Sequence, residues 1–312
     1  MGKSAFLTDR SPVCPADLLD RARAVRDEPL KLAVVRASAP LPMLTAKQAH
    51  DEGIATPVLI GEADLIKKEA DAIGWDLTGI TIHDSKGEKG AIDHATALAR
   101  GGSVDALMKG HLHSDVFMGG IVAREAGIRG ETRMVHIFAM FHPDGGSPIL
   151  ISDAAVNVIP DMKTRQQTVR TCADVARALG IETPKIAIIS ATESAIPSIP
   201  SSMEAKELSD WAQDNVEGAI VSGPLAFDLA MSSEAVEIKG MDKESNPVAG
   251  AADALVMPEI TSGNVLFKSM VWHSGACAAG VVTGGKVPII LTSRADPPEA
   301  RLASIALAAL CS

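Results

Sequence analysis

Near the end of the 312-residue chain, four consecutive residues could bind an anionic group and act on it. They are Ser293, Arg294, Ala295 and Asp296, which set a hydroxyl, a guanidinium and a carboxylate side by side. Arginine presents a planar fork that matches two oxygens of a phosphate or carboxylate. A capped helix start with a local ion pair is the plain alternative for the same residues. The preceding GVVTGGKV (280–287) nearly spells a phosphate-binding loop, but Val287 and Pro288 stand where a magnesium-binding hydroxyl and a helix are needed. That stretch reads as a turn between two strands.

Other polar groups fall at similar places. MKGHLHSD (108–115) offers His111 and His113, two imidazoles without a third converging metal ligand. Here Ser114 is expected to cap a helix whose free N–H groups would face a ligand. ISDAAVN carries Ser152, Asp153 and Asn157, and IISATES carries Ser190, Thr192 and Glu193. VSGPLAFD supplies Ser222 and Asp228, and MPEITSGN supplies Glu259, Ser262 and Asn264. Each alone is most simply a cap or turn residue. Several together at strand ends are what a cleft for a polar ligand requires.

These groups need a scaffold of strands and helices to hold them. KLAVVRA (31–37), TPVLIG (56–61) and DALMKG (105–110) have the composition of buried strands, and segments 40–53 and 90–102 between them read as helices. This alternation predicts βαβ units and a mostly parallel sheet. The rhythm breaks at 134–154, where MVHIFAMF and PILISDA flank the turn HPDGGS and predict an antiparallel hairpin. It resumes with a helix near 161–180 and strands at 185–190, 219–223, 252–258, 279–284 and 287–293. A last helix opens on Pro297, Pro298 and Glu299, favourable first-turn residues. The chain is long enough for two α/β domains, with a boundary near 131–134.

Composition narrows the classes of partner. A formal charge of −10 argues against nucleic acid or an anionic membrane. Cys14, Cys172, Cys277 and Cys311 form no CxxC pair and read as reduced structural thiols. No run approaches a membrane span or the apolar core of a signal peptide, so a cytoplasmic protein is expected. No GxGxxG follows a strand, so the common dinucleotide fingerprint is missing.

Several long stretches, in order, resemble the phosphate acetyltransferase and phosphate butyryltransferase family. They are MKGHLHSDVFMGGIVAREAGIRGETRMVHIF (108–138), ISDAAVNVIPD (151–161), VSGPLAFDLAMS (221–232), PVAGAADALVMPEITSGNVLFK (247–268), VPIILTSRAD (287–296) and IALAAL (305–310). The likeness is strongest from about residue 105 onward and is nearest to the butyryltransferase-like branch. It implies two α/β/α domains like those of isocitrate and isopropylmalate dehydrogenases, with the active site in the cleft between them. One domain would comprise residues 1–132 with 286–312 and carry the Ser-Arg motif, and the other residues 133–285. It also implies a homodimer that interconverts acyl-CoA and phosphate with acyl phosphate and CoA, without a metal or redox cofactor. Acetyl is the first expectation for the acyl group and butyryl the second. By the same resemblance Arg294 clamps the phosphate and Ser293 hydrogen-bonds the thiol or tetrahedral intermediate. Lys109, Ser114 and Arg133 add donors, while Asn157, Gly223, Asp228, Ser262 and Asn264 contact substrate. Acetyl-type relatives place an Asp seven residues after the matching Ser, where this chain has Ala300. The base is then Asp296 or Glu299, with Glu299 slightly favoured because it neighbours the vacated position. A metal-dependent oxidoreductase on the same fold and a non-catalytic CoA-binding protein are the rival readings.

Overall fold

A computed structural model describes residues 4–293 and 295–312. The chain forms two compact units. The terminal unit contains Pro12–Met134 and Ala279–Ser312, and the middle unit contains Met1–Ser11 and Val135–Ala278.

In the terminal unit the chain runs through α1 (Ala16–Ala24), β1 (Leu30–Val35), α2 (Pro40–Asp51), β2 (Ala55–Gly61), α3 (Ala63–Ala72), β3 (Thr81–Asp84), α4 (Gly87–Arg100), β4 (Ala106–Lys109) and α5 (Ser114–Val122). The middle unit then supplies β5 (Val135–Phe141), β6 (Ile149–Ser152), α6 (Met162–Ala178), β7 (Lys185–Ile189), α7 (Pro200–Asn215), β8 (Ile220–Leu225), α8 (Phe227–Met231), α9 (Ser233–Ile238), β9 (Ala254–Val256) and α10 (Ile260–Ser269). A π-helical turn, Met270–Ser274, leads into β10 (Cys277–Thr283), β11 (Ile289–Ile290) and α11 (Pro298–Leu310).

The strand order in the terminal unit is β3-β2-β1-β4-β11-β10. All neighbours are parallel except β10 and β11, which pair antiparallel at Val282 and Ile289. GVVTGGKV is thus a strand and the turn of a hairpin. β1 and β4 are buried almost throughout, as expected of parallel strands covered on both faces. The middle unit has the order β5-β6-β9-β7-β8. Its strands are parallel except for the β5–β6 hairpin, in which Met140 pairs with Ile149. Both units are mixed α/β with mostly parallel strands, as the alternation of apolar runs predicts.

Two local findings bear on function. The strand expected over 287–293 shrinks to Ile289–Ile290, since Pro288 has no N–H to donate and Thr292 leaves the ladder. The Thr292 hydroxyl donates instead to the Lys109 carbonyl at 2.9 Å, pinning the loop to the end of β4. α11 opens on Pro298 with Glu299 in its first turn and buries Ala303, Ile305, Ala306, Leu307, Ala308 and Ala309. Among the described residues no helix is long and apolar enough to cross a membrane.

Candidate active site

The loop between β11 and α11 is a tight turn built by its own polar groups. The Ser293 N–H donates to the Asp296 carboxylate at 2.6 Å, and the Asp296 N–H returns to the Ser293 carbonyl at 3.2 Å. The Ala295 N–H donates to the Ser293 hydroxyl at 3.3 Å. Arg294, expected to clamp phosphate, lies outside the described residues. From one turn into α11, Arg301 reaches back: its Nε donates to the Asp296 carbonyl at 3.1 Å and its Nη2 to the Ser293 carbonyl. Arg301 is only 3% exposed. Nothing in the motif itself pointed to this residue. An arginine on the buried face of an otherwise apolar helix, ARLASIALAAL, was the available signal.

Beside this turn lies a cavity of about 350 Å³ whose lining includes Leu41, Pro42, Lys109, Leu112, Thr292 and Arg301. Its walls come from the first turn of α2, the segment after β4, and the two residues that anchor the loop. Two backbone features lie at or beside it. Arg36 adopts φ 58°, the left-handed region that costs a side-chain-bearing residue energy. Gly110 packs so tightly that a Cβ there would lie 2.4 Å from the Val35 carbonyl. Arg36 is held in place by Glu62 at 3.4 Å, Glu88 at 3.3 Å and the His111 carbonyl at 3.1 Å.

The Asp296 carboxyl is perturbed by its surroundings. Burial pushes the Asp296 carboxyl above the ordinary aspartate range, against the Ser293 N–H and the charges of Arg301 and Lys109. Lys109 itself is only 6% exposed at the end of β4. Glu299, by contrast, is exposed in the first turn of α11. Its charge bears on Cys14, whose thiol is pushed up to about 12 by burial and by Glu52, Glu299 and Asp17.

Ser114 does not cap α5. The N-cap is His113, in extended conformation and without a side-chain cap bond, so Ser114 is already the first helical residue. Glu88 fixes this geometry by accepting from the His113 backbone N–H at 3.3 Å and by meeting its Nδ1 at 2.9 Å. Arg133 is exposed between α5 and β5.

In the middle unit the carboxyl end of β6 organises the polar residues. The buried Asp153 carboxylate accepts from the N–H groups of His136, Ala155, Val156 and Asn157 and from Asn157 Nδ2, the last at 2.7 Å. Asn264 Nδ2 donates to the Ala154 carbonyl at 3.1 Å, joining α10 to the same loop. Glu259 caps α10 by accepting from the N–H groups of Thr261 and Ser262, and the Ser262 hydroxyl donates to the Glu259 carbonyl at 2.7 Å. Asn157, Ser262 and Asn264 are therefore gathered around one loop and the helix start beside it. Gly223 packs under β7, where a Cβ would lie 2.6 Å from that of Ile188. Asp228 stands apart, paired with Lys239 at 2.9 Å. His136 is fully buried against Phe138, with neither ring nitrogen hydrogen-bonded among the described residues. Burial holds its pKa well below the ordinary histidine range, although Asp153 pulls the other way.

A chain with this mostly parallel α/β scaffold has known counterparts. A model of the phosphate acetyl/butaryl transferase family matches residues 89–309. The chain belongs to that family. It is 38% identical over 291 residues to a phosphate acetyltransferase of Rhizobium meliloti, covering 89% of this chain and 91% of that one. It is 36% identical over 289 residues to a phosphate butyryltransferase of Clostridium acetobutylicum, covering 92% and 95%. Among solved structures, a branched-chain phosphotransacylase from Enterococcus faecalis superposes with a TM-score of 0.78 at 29% identity, over 90% of this chain and 99% of that one. A 4-hydroxythreonine-4-phosphate dehydrogenase from Burkholderia phymatum matches with a TM-score of 0.56 at 15% identity, over 91% and 98%, which shows a shared fold.

Proposed function

We propose that the chain is a phosphate acyltransferase that interconverts acyl-CoA and phosphate with acyl phosphate and CoA, with acetyl the first choice of acyl group and butyryl the second. Membership of the family supports the reaction. The observation that carries the site is the Ser293–Asp296 turn, where a hydroxyl and a half-buried carboxyl stand beside a cavity lined by Lys109 and Arg301.

Starting from acyl phosphate, the CoA thiol, with an ordinary pKa of about 8.5, must lose its proton to attack the carbonyl. Asp296 takes that proton. Its half-buried setting raises its affinity for the proton, which favours it over the exposed Glu299. The sulfur–carbon bond forms, charge gathers on the carbonyl oxygen, and the carbon–oxygen bond to phosphate then breaks. The Ser293 hydroxyl hydrogen-bonds the thiol or the tetrahedral intermediate, while Arg294, Lys109, Ser114 and Arg133 neutralise the phosphate. Asn157, Gly223, Ser262 and Asn264 contact CoA. No metal or redox cofactor takes part.

The enzyme acts as a cytoplasmic homodimer in this reading. Support for association comes from exposed apolar side chains on the middle unit: Phe6, Val265 and Trp272 are 82%, 59% and 51% exposed. The deciding experiment monitors free CoA from purified protein, phosphate and acetyl-, propionyl- or butyryl-CoA. Phosphate-dependent release with at least one chain length is expected, and its absence with all three overturns the proposal. Relative kcat/KM values then rank the acyl groups.

A further inference from the structure

We propose that Arg301 is the positioning residue of this site: its guanidinium bridges the two ends of the Ser293–Asp296 turn and thereby holds the serine hydroxyl and the aspartate carboxyl at working geometry. The inference rests on the acyltransferase reading of that turn and adds a residue outside the Ser-Arg-Ala-Asp motif.

The geometry is specific. The turn is four residues long, and Arg301 donates to the carbonyl of its first residue and to the carbonyl of its last. The Ser293 carbonyl also accepts the Asp296 N–H, so one oxygen receives both the bond that closes the turn and the bond that anchors it. The remaining anchor is Thr292, which ties the incoming chain to the Lys109 carbonyl. The turn is thus gripped before Ser293 by a hydroxyl and from below by a fork. A fork suits this task because two rigidly spaced N–H groups fix an orientation as well as a distance. An ammonium at the same place could satisfy one carbonyl or the other.

The burial of Arg301 points the same way. A guanidinium at 3% exposure carries a large desolvation cost, and the cheaper way to fill a helix face is with more alanine or leucine. Its neighbours on that face, Ala300, Ala303, Ser304 and Leu307, are buried and small or apolar. Asp296 is the carboxylate whose charge acts on Arg301, and burial makes that carboxyl reluctant to ionise. The arginine is placed to serve backbone carbonyls beside a cavity that it also lines. Because its charge and that of Lys109 both favour ionised Asp296, removing it leaves Lys109 as the described cation acting on the carboxyl.

Arg301→Lys and Arg301→Gln test the brace through two separate readouts. Amide hydrogen exchange reports the turn itself. Loss of two hydrogen bonds from a charged donor should speed exchange at Ser293 and Asp296 by about tenfold or more, with the last two turns of α11 unchanged. Steady-state kinetics report the consequence: kcat should fall on the order of 10²-fold, with KM for acyl-CoA and phosphate within about threefold. Free guanidinium at sub-denaturing concentration should restore part of the kcat of Arg301→Gln. In that variant the acid limb of kcat should also move to higher pH, since Asp296 loses a cation that favours its ionised form. Unchanged exchange at the turn overturns the brace, as does faster exchange spread evenly along α11, which would mark an ordinary helix-stabilising arginine. Should the wild-type protein release no CoA with phosphate, the acyltransferase reading and the catalytic half of this proposal fall. The exchange data still judge the brace.

Discussion

Asp296 and Glu299 differ in setting more than in chemistry, and the difference makes distinct predictions. Asp296 sits in the turn with its carboxylate on the Ser293 N–H, while Glu299 faces outward near Cys14. Asp296→Asn should lower kcat by ~10²–10⁴-fold, the usual range for losing a general base, and Glu299→Gln should leave it within a few-fold. A base must be ionised to act, and burial raises this one. The rate with acyl phosphate and CoA should therefore decline on the acid side from a pH above the ordinary aspartate range. Equal losses in the two variants, or none in either, would remove a carboxylate base from the turn. Arg294→Ala should collapse turnover with thermal unfolding unchanged, and near-normal turnover would take Arg294 out of the mechanism. A turn at Ser293–Asp296 between a strand and a helix was legible in the sequence because its residues are contiguous. Arg301 was not, because its partners are backbone carbonyls brought near by a helical turn, and no side-chain pattern records them.

At the scale of elements, the strand ends carry networks whose pH behaviour differs. Burial acts to raise the Glu62 carboxyl, but the Ser38 hydroxyl, backbone N–H groups including that of Gly87, and Arg36 outweigh it and lower it to about 2. The sign follows from linkage. The folded state holds this proton less tightly than the unfolded chain, so the contribution is present above the unfolded value of 4.5 and is lost as pH falls towards 2. Glu62→Gln should destabilise the protein by about 1–3 kcal/mol at neutral pH and shrink its acid-side loss, measured by urea unfolding between pH 6 and about 3. An identical pH slope in the variant would refute the assignment. The Asp153 loop is a second such knot. Asp153→Ala takes the acceptor from the buried His136 N–H and from several half-buried N–H groups and should cost about 3 kcal/mol, with Asn157 released at the same time. Strands such as β1 and β4 were readable from apolar runs bounded by turn residues. The shortening of β11 and the non-capping role of Ser114 were not, because each depends on a partner distant in sequence: Lys109 for the Thr292 hydroxyl, and Glu88 for His113.

For the whole molecule, the class of fold was visible in the alternation of strands and helices, and the family in long motifs kept in order. Acyl-chain preference was not: in the proposed reading it would be set by the depth and lining of a cavity, and the cavity beside the turn is assembled from α2, the end of β4 and the β11–α11 loop, which are far apart in sequence. Association offers a test at this scale. Trp272→Asp should shift sedimentation from dimer to monomer if the exposed Phe6, Val265 and Trp272 surface joins two copies. A wild-type monomer, or a variant dimer of undiminished affinity, would refute that interface.

The insertion of β11 beside β4 has a consequence for how the protein is made. Leu107 and Met108 find their strand partners in Ile289 and Ile290, which leave the ribosome roughly 180 residues later. At about 5–20 residues per second, that edge of a buried sheet stays open for ~10–35 s. The middle unit is complete by Ala278 and can fold while the terminal unit still waits for its last strand and helix. Newly made chains stalled or cleaved before Ile289 should therefore present an open apolar strand edge, and so depend on chaperones far more than the finished protein does.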